Sequence, residues 1–379
     1  MRIPKTTTGC WPRFTAAAAL ALLLAAQAGN AAAQERACPA IGAIRWDAWH
    51  GADGPVGRHV QRTLGPNQWH DRLPFCSRVL GPGQVEIECD SQEIMDREIQ
   101  YAATAGLSYW AFATQAPEDA MSRQFNFYLS SRHKHRINFA LRSRPRQMGG
   151  PDDYAPTIAR FVQFMNDPSY QKVQGNRPLF FIGFLSGEVD KYWGGPENFR
   201  KAVDSLRAEA RRAGLPNPYL VVMEFNPEQA KTYLDTYGFD AISTYATRAG
   251  KPGAPYAYLA RGVERYWERS KATGAQVIPI VMAGWDNRPK VETPMRQASS
   301  DTPRKAFYYE PGRPAEIAEH LGNSLRWVAA NPSATSANAV IVYAWNEHDE
   351  GGWLMPTLSE GTARLNAVGE SVQRACPRR

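Results

Sequence analysis

The sequence predicts an α/β fold made of a single (β/α)8 TIM barrel with an elaborated loop after the first strand. Eight short apolar runs, rich in β-branched and aromatic residues, recur along the 379 residues. Segments with helical periodicity lie between most of them, and strand alternating with helix eight times indicates a parallel sheet. An open doubly wound sheet is the alternative. It would need a glycine-rich phosphate loop after its first strand, and WDAWHGADG (46–54) lacks that pattern.

The predicted elements follow one another in regular order. The strands are predicted at residues 43–49, 107–114, 137–144, 178–184, 219–225, 239–246, 276–286 and 339–347. The helices are predicted at residues 91–105, 118–133, 153–166, 196–213, 227–237, 256–273, 314–330 and 359–374. Ser91 is a suitable N-cap for the first helix, and Pro196 and Gly214 flank the clearest one. Residues 50–90 show neither period and are predicted to form the elaborated loop.

The N-terminus has the pattern of a signal peptide. Arg2, Lys5 and Arg13 are followed by a short apolar stretch at 16–29 and by small residues up to Ala33. We therefore predict a signal peptide at residues 1–33, a barrel domain at residues 34–379, and a periplasmic or secreted protein. A retained membrane anchor is the alternative, but the stretch is shorter than the roughly 18 apolar residues that a span needs.

Four cysteines remain once the leader, which contains Cys10, is removed. An even number in an exported chain predicts two disulfides. Cys76 with Cys89 would close one loop, and Cys38 with Cys376 would join the two ends of the domain. The other two pairings stay open. No CxxC motif or histidine cluster accompanies these cysteines, so we predict no metal site and no cofactor.

The net charge argues against a nucleic-acid binder. The full chain carries +7, and three of these charges belong to the leader, which leaves +4. A dedicated nucleic-acid binder should show a concentrated basic face. We expect a carbohydrate as the partner of the site described next.

Polar and aromatic residues occupy the predicted strand ends. Active sites of (β/α)8 barrels collect at the carboxyl ends of the strands, so these residues are candidates for the site. The candidates are Asp47, Trp49, Arg142, Arg144, Glu224, Tyr245, Trp285, Asp286, Asn346, Glu347 and Glu350. Trp49 and Trp285 are candidate sugar platforms, Asp47 is a candidate for binding sugar hydroxyls, and Glu224 is a reserve catalytic residue.

Glu347 and Glu350 are the predicted catalytic pair. They lie just after the eighth predicted strand, with Trp345 and Trp353 on either side. Two neighbouring carboxyl groups push their pKa values apart, so that one donates a proton while the other is an anion. Glycosidic bond cleavage requires that division. A solvated acidic turn is the alternative.

A resemblance supports this interpretation. YAWNEHDEGGWLMPT (343–357) resembles the NEW-x-EG signature of glycoside hydrolase family 99 and its WbsX-type relatives. AGWDNRPK (283–290) is similar to the G-W-D-N-x-P segment of the WbsX-type proteins, and KVQGNRPLFFIGF (172–184) to their fourth strand. LRAEARRAGLPNPYLV (206–221) resembles the helix and strand that follow. The resemblance covers most of the chain after about residue 165 and implies a barrel of this family.

The resemblance also implies roles for individual residues. Glu350 would be the general acid/base, and Glu347 would help the 2-hydroxyl of the sugar to attack the anomeric carbon. The configuration would then be retained through a 1,2-anhydro sugar. Tyr245 is similar to a tyrosine near the reacting sugar, and Asp286 matches an aspartate of the WbsX-type proteins.

Two departures from the family pattern affect the site. The tryptophan expected after the first glutamate is His348, which together with Asp349 is predicted to face outward or to support the turn. The third strand ends in RSRPR (142–146) where the relatives are aromatic and acidic. Arg142 and Arg144 are predicted to face one side and to bind an acidic sugar. An ordinary surface loop is the alternative.

These observations together predict an exported glycoside hydrolase that cleaves a polysaccharide or oligosaccharide and retains the configuration of the sugar. A non-catalytic carbohydrate-binding barrel, which assists the export or assembly of a surface polysaccharide, is the alternative. A sugar transferase is disfavoured, because the sequence has no nucleotide-phosphate motif.

Overall fold

The computed structural model describes Met1 and residues 37–247, 250–295 and 305–376. The predicted signal peptide at residues 1–33 therefore lies, apart from Met1, outside the described residues. The barrel belongs to the unit Cys38–Arg379.

The strands alternate with helices along the chain. The strands are β1 Ala40–Arg45, β2 Ser77–Gly81, β3 Gln84–Ile87, β4 Tyr109–Ala113, β5 Asn138–Ser143, β6 Lys172–Val173, β7 Arg177–Gly183, β8 Tyr219–Met223, β9 Ala241–Ser243, β10 Gln276–Val277, β11 Ile280–Met282, β12 Ala339–Tyr343, β13 Asn346–Glu347 and β14 Gly352–Trp353. The helices are α1 Gly54–Leu64, α2 Gln92–Thr104, α3 Arg123–Ser130, α4 Tyr154–Met165, α5 Glu188–Trp193, α6 Pro196–Arg212, α7 Pro227–Tyr237, α8 Tyr256–Ala272, α9 Arg288–Glu292, α10 Pro314–Ala330 and α11 Ala363–Ala375.

The main sheet closes into a barrel. Its order is β10–β9–β8–β7–β5–β4–β1–β12–β11, and all these pairs are parallel. β10 and β11 are two halves of one strand interrupted at Pro279, which has no N–H to donate. Across the interruption, Ile278 N donates to Ile242 O at 2.9 Å, and Ile341 N donates to Pro279 O at 3.0 Å. The (β/α)8 prediction is therefore confirmed.

The strands are apolar because the barrel wall is buried on both faces. Every residue of β8 and β12 is buried. Packing is close at Gly42 in β1, where an added Cβ would lie 2.1 Å from the ring of Tyr109. The hydroxyl of that tyrosine, which lies in β4, donates to Val340 O in β12 at 3.1 Å. The helices bury one stripe each, and α2 begins at the predicted cap, Ser91, whose side chain accepts from Ile94 N at 3.2 Å.

The segment after β1 is more ordered than the sequence indicated. The predicted irregular loop at residues 50–90 contains helix α1 and the antiparallel hairpin β2–β3. The helix is short and mixes buried His59 and Thr63 with Val60 and Leu64, so its apolar period is hard to recognise. The helix predicted at 118–133 is shorter, because 3-10 turns flank α3.

Both of the favoured disulfides are present. Cys76 and Cys89, with a Cα–Cα distance of 5.3 Å, close the loop that follows β1. Cys38 and Cys376, with a Cα–Cα distance of 5.6 Å, join the start of the barrel to the end of its last helix. In the described part of the chain, no helix is both long and apolar enough to cross a membrane.

Replacing Cys38 and Cys376 together by serine is expected to lower the free energy of unfolding by about 2–5 kcal/mol. This bridge spans 338 residues and restricts the unfolded chain strongly, whereas the Cys76–Cys89 bridge spans only 13. Urea denaturation followed by tryptophan fluorescence measures the loss. The double serine variant of Cys76 and Cys89 is the matched control and should lose less; an equal or larger loss there would contradict the expectation.

Candidate active site

The chain turns back on itself directly after the last barrel strand. β12 ends at Tyr343, and β13 and β14 then pair as a short antiparallel hairpin. A single 3-10 turn, His348–Glu350, joins the two strands. The hairpin therefore carries Glu347 and Glu350 at the carboxyl end of the barrel, where barrel enzymes hold their reacting groups.

A buried polar network joins the hairpin to the end of β1. Arg45 donates from Nη1 to Glu98 at 2.6 Å and from Nη2 to Asp47 at 2.8 Å. Asn346 donates from Nδ2 to the same Asp47 oxygen at 3.0 Å, and its Oδ1 accepts from the backbone N that follows Arg45, at 2.8 Å. All four side chains are buried. Asp47 and Asn346, predicted to bind substrate, are committed to this network and instead position Glu347.

Trp49 is not a sugar platform, contrary to the prediction. It is 1% exposed, and its Nε1 donates to the backbone O of Asn346 at 2.9 Å. Its ring meets His348 edge-on, with ring centres 5.2 Å apart. Because the Trp49 ring is closed off from solvent, it supports the hairpin through these two contacts. The half-buried neighbour Trp46 lies nearer the opening, with the Lys290 ammonium 4.5 Å from its ring centre.

His348 and Asp349 point inward, so the outward alternative is wrong and the supporting one holds. Both are fully buried. Burial lowers the pKa of His348 to about 3, which leaves the imidazole neutral. It stacks on Trp353 with ring centres 5.5 Å apart and thus behaves as the aromatic ring that the family pattern places here. Asp349 forms an ion pair with Lys290 at 3.4 Å.

Glu347 is the more enclosed carboxyl group of the pair. It is 2% exposed, and the Tyr245 hydroxyl donates to its Oε1. Its Oε2 is buried and has no hydrogen-bond partner among the described residues. Burial, and next the negative charge of Glu350, raise the pKa of Glu347 to about 8, although Lys290 opposes the shift. Burial and the charge of Glu350 thus both favour the protonated form of this carboxyl group.

Glu350 lies in a different environment. Its side chain is 20% exposed, Lys290 Nζ lies 2.9 Å from Oε1, and the Tyr343 hydroxyl donates to Oε2. Burial alone would lower the pKa of Lys290, but the charges of Asp349 and Glu350 outweigh it and raise that pKa well above its usual value. The lysine is a permanent cation between two carboxylates.

The turn that carries Glu350 is pinned to the end of β11. Asp286 N donates to Glu350 O at 2.6 Å. Gly351 has φ +78°, and an added Cβ would lie 2.7 Å from that same backbone nitrogen. Gly284 is as tightly placed, since its added Cβ would lie 2.1 Å from Gly351 O. Only glycine allows the two segments to approach this closely.

Asp286 contributes differently from the prediction, whereas Trp285 keeps its predicted setting. The Asp286 carboxylate is buried between Arg72 and Arg288, with Arg288 Nη2 at 2.7 Å. Burial would raise its pKa, but the hydrogen bonds from Arg288 and the charge of Arg72 lower it. Its carboxylate is thus already occupied, and it fixes the loop after β11. Trp285 remains half-buried, 5.7 Å from Tyr343 between ring centres, and stays a candidate platform.

The other candidates line the neighbouring strand ends. Tyr245 contacts Glu347 directly, as described above. Arg142 lies over the Tyr245 ring, 4.9 Å from its centre, and Arg144 lies over the Phe184 ring at 4.4 Å. Glu224 accepts from the backbone N of the following residue at 2.8 Å, so it belongs to the rim after β8.

Sequence reasoning missed Lys290, Tyr343 and the inward position of Asp349. Lys290 lies in AGWDNRPK, the segment already singled out after the seventh strand, and a basic residue there was a usable signal. Tyr343 looked like one more apolar residue of a buried strand. Its hydroxyl role depends on the turn that brings Glu350 back over it, and a strand pattern does not contain that information.

The fold and the site define a class, which is a glycoside-hydrolase-like (β/α)8 barrel with its carboxyl pair after the last strand. The model of the family described as glycosyltransferase WbsX matches residues 145–368, more than half of the chain. The chain belongs to this family, as its motifs indicated.

Solved structures of similar proteins share the barrel. A GH99 endo-α-mannosidase from Bacteroides thetaiotaomicron, in complex with bis-tris-propane, is 15% identical, covers 88% of this chain and 96% of its own, and has a TM-score of 0.54. A second structure of that endo-α-mannosidase is 14% identical, covers 88% and 98%, and has a TM-score of 0.56. At this identity the likeness establishes the fold. No match was found among curated proteins.

Glu347→Gln is expected to raise the stability of the fold relative to wild type, and this difference is expected to grow as the pH rises. The pKa of Glu347 is raised from 4.5 to about 8, so the folded state keeps a proton that the unfolded chain releases. The stabilising contribution is full below the pKa of the unfolded chain, near 4.5, and is lost as the pH rises through the raised pKa of the folded state. The melting temperature of the variant minus that of wild type should grow over this window and then level off.

Thermal unfolding followed by circular dichroism at several pH values between about 4.5 and 9 tests this dependence. Glu370→Gln is the control, because the Glu370 side chain is 69% exposed. A melting-temperature difference for Glu347→Gln that does not change with pH would show that Glu347 is not protonated in the fold.

Gly351→Ala is expected to destabilise the protein more than Gly361→Ala. Both glycines have positive φ, but a Cβ at Gly361 would meet open space. The control should lose about 1–2 kcal/mol for the left-handed backbone alone. Gly351→Ala should lose roughly a further 1–3 kcal/mol, because its Cβ overlaps the Asp286 backbone. Equal losses in urea denaturation would disprove the close packing of the hairpin.

Proposed function

We propose that this protein is an exported glycoside hydrolase that cleaves a polysaccharide or oligosaccharide with Glu347 and Glu350. One observation carries the proposal: the two carboxyl groups occupy unlike environments, one buried beside a tyrosine and one partly exposed beside a lysine. Such a division separates a proton donor from an anion, which is what cleavage of a glycosidic bond uses.

The two roles follow from the greater exposure of Glu350 and from Oε2 of Glu347, which has no hydrogen-bond partner among the described residues. Glu350 is the more exposed group and donates a proton to the leaving oxygen as the bond from that oxygen to the anomeric carbon breaks. Glu347 takes the proton of the sugar 2-hydroxyl, whose oxygen bonds to the anomeric carbon. Water then opens the 1,2-anhydro sugar: Glu350 accepts a proton from the water, and Glu347 returns one to the 2-oxygen. The configuration is retained.

The proton must move before the reaction starts. In the free enzyme, Glu347 holds it. A 2-hydroxyl that donates to Oε2 of Glu347, the oxygen without a partner among the described residues, stabilises the carboxylate form and lowers its pKa. The proton shared by the pair then resides on Glu350. Substrate binding thereby sets up the acid and the base.

Export is part of the proposal. The two disulfides fit an oxidising compartment, and the N-terminal sequence has the composition of a signal peptide. Cell fractionation of the expressed full-length chain and N-terminal sequencing of the product test this part, with cleavage expected after Ala33.

Sugar transfer is the second candidate, because the family description names a glycosyltransferase. The same carboxyl pair performs transfer when an acceptor hydroxyl replaces water in the second step. Products longer than the substrate, rather than new reducing ends, would support it.

Glu350→Gln is expected to lower kcat/KM by about 10²–10⁴-fold. The mature protein is incubated with a panel of mannose-containing and acidic polysaccharides, and new reducing ends and fragments are measured by mass spectrometry. Glu370→Gln, which replaces an exposed glutamate of α11, is the control and should keep wild-type turnover. Substrates with an activated leaving group should rescue Glu350→Gln but not Glu347→Gln.

Three outcomes contradict the proposal. Undiminished turnover of Glu350→Gln removes its catalytic role. If substrates with an activated leaving group rescue Glu347→Gln and not Glu350→Gln, Glu347 is the proton donor and Glu350 is the base. Tight binding with neither cleavage nor transfer identifies a non-catalytic carbohydrate-binding barrel.

A further inference from the structure

A buried cation lies beside the catalytic pair without a matching anion. Arg142, in β5, is 4% exposed, and its Nε and Nη1 are buried with no hydrogen-bond partner among the described residues. A buried charge is costly unless it is paired and hydrogen-bonded. The groups that lie against its guanidinium include the rings of Tyr245 and Phe184, which are not carboxylates. The guanidinium is therefore short of both charge and acceptors.

The Tyr245 side chain connects Arg142 to the carboxyl group of Glu347. Its guanidinium carbon lies 4.9 Å from the centre of the Tyr245 ring, and the hydroxyl of that ring donates to Glu347. It also lies 5.9 Å from the centre of the Phe184 ring. A sugar whose anomeric carbon is at Glu347 would thus have Arg142 beside it or beside its neighbour in the glycan.

Further positive charge lies at the same strand end. Arg144 lies over the Phe184 ring at 4.4 Å and pairs with Glu188, while its Nε is buried without a partner among the described residues. Arg146 lies 3.8 Å from the same Glu188. Arg144 and Arg146 therefore share Glu188, and Arg142 forms no ion pair among the described residues, which leaves an excess of positive charge at this strand end.

Phe184 packs against these arginines in an unusual backbone conformation. Directly after β7 it has φ +59°, a left-handed backbone that is rare for a bulky residue. Its ring packs 5.3 Å from Tyr245 and 6.3 Å from Phe225 between ring centres, and Phe225 is 54% exposed. Strained backbone persists where the surroundings require a side chain in one place. Here the rings form an apolar wall next to the arginines, which suits the C–H face of a sugar.

We propose that this cluster, Arg142, Arg144, Phe184 and Phe225, is a subsite for a sugar that carries a carboxylate, such as a uronate. The inference deepens the proposed function and rests on it for the statement that the neighbouring bond is cleaved. A carboxylate supplies the charge and the acceptors that Arg142 lacks, and planar guanidinium and carboxylate groups match in geometry. The aromatic wall holds the ring of the same sugar.

Binding is measured separately from cleavage, so that the two proposals fail in different ways. The Glu350→Gln variant of the mature chain is titrated calorimetrically with oligosaccharides from alginate, pectate, hyaluronan and xanthan. Each is compared with its carboxyl-reduced form, in which the uronates have become neutral sugars. At least one native ligand should bind about tenfold more tightly than its reduced form or better, because a charge-assisted contact is lost.

Variants locate the contact. In the Glu350→Gln background, Arg142→Met should remove the preference for the native form and leave the affinity for the reduced form unchanged. Arg144→Gln, at a less buried position, should reduce the preference and tests the subsite even where Arg142→Met fails to fold. Arg374→Gln is the control, because it removes the same charge from a side chain on α11 that is 69% exposed, and the preference should persist.

No preference for any native form, or a preference that both arginine variants keep, overturns the subsite. A preference that follows the arginines, found in a protein that neither cleaves nor transfers, would uphold the subsite and disprove the hydrolase.

Discussion

The active-site end of the barrel depends on the buried guanidinium of Arg45. A buried charge is tolerated only when its partners are held in place, so Asp47 and Glu98 are fixed as firmly as the arginine itself. Those carboxylates in turn accept from Asn346 and from Trp345, whose Nε1 donates to Glu98 at 2.6 Å. The last segment of the barrel is therefore locked to the first. The position of the β13–β14 hairpin is a consequence of this network, since Asn346, the first residue of the hairpin, is one of the network's members.

Charge is distributed unevenly around the hairpin that this network holds. Lys290 lies between Asp349 and Glu350 and neutralises part of their repulsion. Burial, and next the negative charge of Glu350, favour the protonated form of Glu347. Two carboxyl groups three residues apart thus acquire opposite properties without any difference in chemical type. Arg142 lies over the Tyr245 ring, and its Nε and Nη1 have no hydrogen-bond partner within the described part of the chain. Positive charge is thus less compensated there than at Lys290.

Two different chemistries share this scaffold. The family description names a glycosyltransferase, while two of the matched structures are of an endo-α-mannosidase. Both reactions pass through an activated anomeric carbon, and they differ in the hydroxyl that attacks it in the second step. The carboxyl pair is suited to either reaction. The residues around the acceptor position determine whether water or a sugar hydroxyl attacks. The fold alone is compatible with both hydrolysis and transfer.

The sequence by itself determined the barrel, the disulfide partners that it favoured and the placement of the glutamates after the last strand. These follow from periodicities of a few residues, from a count of cysteines and from motifs contiguous in the chain. Only the tertiary structure decided which candidates face the opening. Trp49 and Asn346 are adjacent to the site in sequence but are turned into the core by contacts with residues about 300 positions away. Lys290 and Arg142 acquire their roles through neighbours from distant segments of the chain, and Tyr343 acquires its role through the turn that brings Glu350 back to it. Burial and charge compensation are sums over such distant neighbours, so no local pattern contains them.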